Sequence, residues 1–207
     1  MTKEERQERE REEMRILILE TAGQLIAEGG IGKLSIRKIA DKIEYSPGII
    51  YHYFQGKEDI IEQVLQKGYL DMVSGLNSGQ AREQIDQSPE ALLKQSLRQF
   101  IRMSLSEGSQ YRNVMLNDSP AVLSHTAVLF KGAAQDRQAL GMLCQCLRQF
   151  EQMSTRDDIY VERTAQVIWS AAFGLILRIT VEKDLPEEQR EALITHYLEA
   201  MLAVATK

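Results

Sequence analysis

The residues best suited to chemistry on an outside partner lie between Ser46 and Lys57, in the segment SPGIIYHYFQGK. They are not the nucleophiles, acids and bases of a catalytic centre. Gly48 offers backbone without a side chain, Tyr51 and His52 offer hydrogen-bonding groups, Ile49 a branched aliphatic surface, and Lys57 a cation. Such groups suit a nucleic-acid duplex. Hydroxyl, imidazole and ammonium can meet phosphate oxygens, an aliphatic group can touch a thymine methyl, and bare backbone permits close approach.

These groups need a scaffold, and the sequence supplies one. At about 100° per residue, Ile50, Tyr53 and Phe54 fall on one side of a helix and Gly48, His52 and Gln55 on the other, flanked by Ile49 and Tyr51. Ser46 can cap that helix through its hydroxyl, and Pro47 sits at the first helical position, where a missing N–H costs nothing. A preceding helix from Ser35 to Ile43 shows Ile36, Ile39, Ala40 and Ile43 at helical spacing. The turn Glu44-Tyr45-Ser46 between them has the length of a helix-turn-helix connection. Lys57 opens a further helix, to about Ser74, whose first free N–H groups can join the ammonium on a phosphate.

Upstream, a helix from about Met14 to Glu28 carries an apolar stripe of Ile16, Leu19, Ala22 with Gly23, and Ile26, and Gly29-Gly30 ends it. It completes a three-helix unit and braces the reading helix. Residues Met1 to Glu13 are nearly all charged with the signs interleaved. They read as a solvated helical extension or frayed tail; the alternative is an arm bringing Arg6, Arg9 and Arg11 to phosphates or a minor groove, against which six glutamates weigh.

Three blocks carry a family resemblance: Ser35-Ile36-Arg37-x-Ile39-Ala40, then Ser46-Pro47-Gly48-x-Ile50-Tyr51-His52-Tyr53-Phe54, then Gly56-Lys57-Glu58-Asp59-Ile60. Together they resemble the TetR family of bacterial transcriptional regulators. The resemblance implies an all-α protein with an N-terminal helix-turn-helix domain and a larger helical domain for ligand binding and dimerisation. It implies DNA contacts through Ser35, Arg37, Ser46, Pro47, Gly48, Ile49, Tyr51, His52 and Lys57. One departure is Glu44, where the family usually has a turn glycine. Glu tolerates positive φ poorly, so the turn is shaped differently or strained by about 1 kcal/mol.

The length of 207 residues allows one large or two small domains with ample core. We place the DNA-binding domain at 1–56 and the ligand and dimerisation domain at 57–207, with 57–74 as a connector helix. No apolar run is expected to span a membrane, and the polar N-terminus does not read as a signal peptide, so the expected location is cytoplasmic. Two cysteines, Cys144 and Cys146, exclude a disulfide framework. They read as reduced thiols, with a redox or metal pair as the alternative. The net charge of −5 weighs against a nucleic-acid binder, but its distribution answers the objection. From Lys33 to Lys57, five basic and two acidic residues give +3, leaving −8 on the rest.

A polar, glycine-containing stretch from Gly75 to Ser88 reads as a mobile loop. Beyond Pro89 the pattern is helical: Ala91 to Leu105, Gln110 to Leu116, Ala121 to Met153 with an interruption near Gly132, Ile159 to Lys183, and about Glu187 to Ala205. No alternating strand pattern, internal repeat or low-complexity segment is present. The last two helices carry more apolar surface than one core uses, with small residues that permit close approach. Paired across a two-fold axis they would give a four-helix bundle, as TetR-like proteins dimerise. We assign Ser170, Ala171, Gly174, Tyr197 and Met201 to that interface. Two reading helices about 34–36 Å apart fit successive major grooves, so the expected operator is a palindrome.

By family resemblance a small, mainly apolar effector sits in the second domain, with Met103, Tyr111, Met115, Phe130, Phe150, Trp169 and Phe173 as candidate liners; ordinary core packing is the competing reading of each. Trp169 with Phe173-Gly174 also resembles a signature of one TetR C-terminal subtype, although that subtype has His where this chain has Phe173. His125 is a candidate specificity anchor, with a surface or satisfied core group as the favoured reading, and His196 on the final helix reads as an interface or surface residue. No glycine-rich phosphate loop, H-E-x-x-H or G-x-S-x-G is present, and three scattered histidines form no triad, so no enzyme, catalytic residue, metal site or cofactor is expected. The expected function is a DNA-binding repressor released by its ligand. The alternative is a helical protein–protein interaction module without DNA binding.

Overall fold

The computed structural model describes residues 2–81, 88–106, 108–182 and 184–206. Among them every regular element is helical. The α-helices are α1 (Lys3–Gly29), α2 (Ile36–Lys42), α3 (Pro47–Ile50), α4 (Lys57–Ala81), α5 (Pro89–Ser106), α6 (Ser109–Met115), α7 (Pro120–Thr126), α8 (Ala133–Asp136), α9 (Gln138–Leu147), α10 (Glu151–Ser154), α11 (Asp158–Val181) and α12 (Glu187–Ala205), with a 3-10 turn at Ile31–Lys33. The all-α expectation holds.

The chain forms two compact units, Met1–Tyr69 with Ser109–Thr126, and Leu70–Gly108 with Ala127–Lys207. This division lies elsewhere than the 56/57 boundary read from the sequence. The division falls within α4. Helices α6 and α7 join the first unit because Val122 is fully buried in the apolar cluster of Ile18, Ile39, Ile50 and Ile60, and Val114 packs against it.

In the first unit, α1 starts at Lys3, so the charged extension is helical. Thr2 and Glu5 form a reciprocal capping box at its start, and Arg6–Glu10 and Arg9–Glu13 pair one turn apart. Its buried face is Ile18, Thr21, Ala22 and Ile26, while Ile16 is exposed. The stripe expected to include Ile16 is therefore rotated. The run Ile16-Leu17-Ile18-Leu19 is apolar all round, so spacing alone could not set the phase. Ser35 caps α2, accepting from the Lys38 N–H at 3.3 Å.

The Gly75–Ser88 loop expectation is corrected at its start, since α4 continues to Ala81; positions 82–87 lie outside the described residues. Local preference for loop residues is a weak prior against helix continuation.

In the second unit the periodic faces close on one core. α5 contributes Leu93, Leu97, Phe100 and Ile101, α9 contributes Leu140, Leu143 and Leu147, and α11 contributes Val161, Ala165, Ile168, Ala172 and Ile176. α12 adds Ile194, Tyr197 and Leu198. The interruption expected near Gly132 is present: Gly132 has φ +88° and begins α8. One expectation about membranes is corrected. α11 is long and apolar enough, by length and composition, to cross one. Part of its apolar surface packs against α5, α9 and α12.

Candidate functional site

The reading segment is held from within by two side chains and presents the rest outward. Ile50 is 0% exposed and Phe54 2%, whereas Tyr51 is 60% exposed, and Pro47, Gly48 and His52 are also exposed. The helical part is shorter than expected. α3 ends at Ile50, and the chain then tightens, with His52 N–H donating to Ile49 O at 3.1 Å and Tyr53 N–H to Ile50 O at 3.0 Å. Ser46 occupies the N-cap position with Pro47 following, but its side chain makes no capping bond, which corrects the expected role of its hydroxyl. Ile49 is half-buried against the core, so less of it faces outward than its spacing implied.

Glu44 sits at φ +60°, the only non-glycine with positive φ among the described residues. The turn thus takes the left-handed conformation although the residue is not glycine. Its geometry closes through Tyr45 N–H to Ala40 O at 3.0 Å.

The basic residues around this surface are not equally available. Lys42 pairs with Glu28 at 3.0 Å, and Lys38 Nζ donates to Lys33 O at 2.9 Å. Arg37 is highly exposed and only loosely near Asp41, at 4.0 Å. Ser35 uses a lone pair in its cap, which leaves its O–H to donate elsewhere. Lys57 is half-buried at the first position of α4.

The candidate effector liners do not all fall together. Tyr111 and Met115 belong to the first unit, and Met103, Phe130, Phe150, Trp169 and Phe173 to the second. Trp169 stacks beside Phe100, ring centroids 4.5 Å apart with planes at 33°. Phe173 follows Trp169 by one turn of α11, and Met103 is half-buried on α5. Phe150 is buried at the N-cap of α10. Phe130 is partly exposed beneath the Arg137 guanidinium, 5.6 Å from its centroid.

Of the residues assigned to an interface, Ser170 and Gly174 are exposed, and Ala171 and Met201 are half-buried. Tyr197 is different. It is buried, and its hydroxyl donates to Ile168 O at 2.9 Å within the same chain. Burial raises its pKa. Its main role is to join α12 to α11. Burial pushes both the Cys144 and Cys146 thiols up to about 11, helped at Cys144 by Glu162, so neither is an activated nucleophile.

Residues 18–64, which carry this reading segment, match the family model for bacterial regulatory proteins of the tetR family. The chain is 36% identical over 58 residues to the HTH-type transcriptional repressor KstR2 of Rhodococcus jostii, an alignment covering 28% of each chain. Among solved structures, it is similar to the fatty acid degradation regulator FadR from Bacillus halodurans, with a TM-score of 0.67 and 20% identity over 91% of this chain and 94% of that one. FadR from Bacillus subtilis in complex with stearoyl-CoA also has a TM-score of 0.67, at 17% identity over 91% of this chain and 98% of that one. Residues 18–64 form a DNA-binding domain of the TetR family. The chain's matched stretch spans just over a quarter of the length of the curated relatives it matches, so those relatives' full activities are not transferred with the domain.

In the chain carrying this TetR-type domain, sequence reasoning missed the group that fixes the exit of the reading segment. Arg15 on α1 donates to Tyr53 O at 2.8 Å and to Gln63 Oε1 at 2.8 Å, and its guanidinium lies 4.7 Å from the Phe54 ring centroid. Gln63 donates to Asp59 at 2.6 Å, and Asp59 accepts from the Gln55 N–H at 2.8 Å. This chain of bonds ties α1, the reading segment and the start of α4 together. Also missed was Glu162 of α11, a buried carboxylate accepting from the Gly132 N–H at 2.8 Å and the Ala134 N–H at 3.0 Å. One turn on, Gln166 donates to Val128 O at 2.8 Å and Phe130 O at 2.9 Å. The pair fastens the 128–134 segment to α11. Val161, Arg163 and Thr164 beside Glu162 give no local signal of that role.

Proposed function

We propose that this chain is a ligand-responsive DNA-binding transcriptional regulator of the TetR family, acting as a repressor that binds a palindromic operator as a homodimer and is released by a small, mainly apolar effector. It acts in the cytoplasm, where its operator is. The observation that carries the DNA-binding reading is the surface of Gly48, Tyr51 and His52, turned outward by buried Ile50 and Phe54. Gly48 is informative because its absent side chain answers to nothing inside the molecule. A Cβ there would meet only Ser46 Oγ, at 3.8 Å, and no positive φ demands glycine. Close approach by an outside partner explains it. Tyr51, His52, Arg37, Ser35 and Lys57 then serve as phosphate contacts, with Ser46 and Pro47 setting the entry of the reading segment.

An exposed face supports the dimer. Along α11, Val167, Ser170, Gly174 and Val181 are exposed at helical spacing, and Leu193 and Val204 are exposed on α12. Two copies joined there would bury this surface and place two reading segments on one duplex. In that scheme α4, whose residues run from the first unit into the second, carries the effector's influence. Effector and DNA favour different arrangements of one dimer, and their coupling is reciprocal.

Selection from a random duplex library tests the proposal. It predicts recovery of an inverted repeat with half-site centres about 10 base pairs apart or a multiple of that. Recovery of no common sequence would favour a helical interaction module instead.

A further inference from the structure

We propose that the Trp169 indole N–H is the polar anchor of the effector site, and that the effector joins a largely apolar body to an accepting oxygen, a carbonyl or a carboxylate. The inference deepens the effector-binding reading and rests on it. The indole Nε1 atom is buried and meets no acceptor among the described residues. Indole nitrogen donates only, and a buried tryptophan N–H ordinarily finds a partner.

The helical surroundings explain why this one does not. Main-chain carbonyls inside helices are already committed to the N–H four residues on. A short hydroxyl can still share one, as Thr164, Ser170 and Thr180 do on α11 with carbonyls one turn back. The rigid indole cannot fold back in that way. Tyr197 satisfies its hydroxyl on Ile168 O, the carbonyl immediately before Trp169, so an acceptor beside this residue is spent. What surrounds the ring is apolar: Phe100 stacks on it across from α5, and Phe173 follows one turn along α11. An apolar wall with a single convergent donor is the composition of a small-molecule site. A phenylalanine would supply the same stacking without burying a donor, so the N–H itself calls for a function.

The test uses the full-length chain and three probes of similar length: methyl decanoate, decanoate and n-undecane. Calorimetry should show methyl decanoate or decanoate bound about tenfold more tightly than n-undecane, the factor expected of one buried hydrogen bond. The preference between the two oxygen probes tells a neutral from an anionic effector. Trp169→Phe should abolish the preference for the oxygen probes over n-undecane, whatever it does to the affinity for all three. Trp169 is the only tryptophan, so its indole gives one resonance in a nitrogen–proton correlation spectrum of the unaltered protein. That resonance should move downfield with an oxygen probe and not with n-undecane, a readout independent of whether the variant folds. Equal binding of all three, a preference retained in Trp169→Phe, or an indole resonance indifferent to the oxygen would overturn the anchor and leave a ligand-responsive regulator standing. Binding of no probe would overturn both.

Discussion

At Gly48 the demands of folding and of recognition separate, because the residue has room for a side chain within its own molecule and none is present. Gly48→Ala should therefore raise thermal stability slightly, by about 0.4–1 kcal/mol through a stiffer unfolded chain, while weakening duplex binding. Calorimetric unfolding and a binding titration on the same sample check both halves. Parallel loss of stability and binding would assign the glycine a structural role. Glu44 presents the opposite case. Its φ of +60° holds an L side chain where glycine is at ease, so Glu44→Gly should stabilise the protein by about 1 kcal/mol, read as a higher urea midpoint. The departure from the family's turn glycine was legible in the sequence, and so was its cost. Ile49 was not, because its outward placement assumed a full helix. α3 ends one residue later, and the side chain turns partly into the core. Tyr197 was illegible for another reason: an aromatic residue on an apolar stripe gives the same signal whether it meets its own neighbouring helix or a partner's.

Elements behave as the hydrophobic period predicts until long-range contacts take over. The helix-turn-helix order, its proline start and the periodic faces of α5 and α11 follow from spacing and capping alone. The phase of α1 does not, since Ile16 to Leu19 is apolar on all sides and only packing chose Ile18 as the buried member. The Arg15 network is equally silent locally. Its partners Tyr53 and Gln63 stand 38 and 48 residues away, and no short motif marks such a bond. Arg15→Ala should cost about 2 kcal/mol by removing two hydrogen bonds and a cation–π contact at a partly buried site. It should also weaken duplex binding beyond what the unfolded fraction explains, because the exit of the reading segment loses its fixed position. Arg15→Lys keeps the charge but not the planar fork, and should recover only part of either loss. Binding measured well below the unfolding midpoint distinguishes positioning from simple destabilisation.

At the scale of the molecule, a modest basic surface belongs to an acidic chain of net charge −5. Local pairing narrows that surface further, since Lys38 and Lys42 already have partners. On our proposal the affinity comes from two copies acting together through the exposed residues Val167, Val181, Leu193 and Val204 of α11 and α12. The sequence suggested the pairing face through its small residues, and that reading remains our proposal. The division of the chain was less legible: α6 and α7 join the first unit through Val122 and Val114, two apolar side chains whose destination no periodicity reveals. The most direct measurement of the central claim is the affinity for a fluorescent palindromic duplex over a series of salt concentrations. If two reading surfaces each neutralise about three phosphates, log affinity should fall against log salt with a slope of about −5. A slope near zero would contradict the account, because a protein that displaces no counterions is not holding the duplex by its backbone.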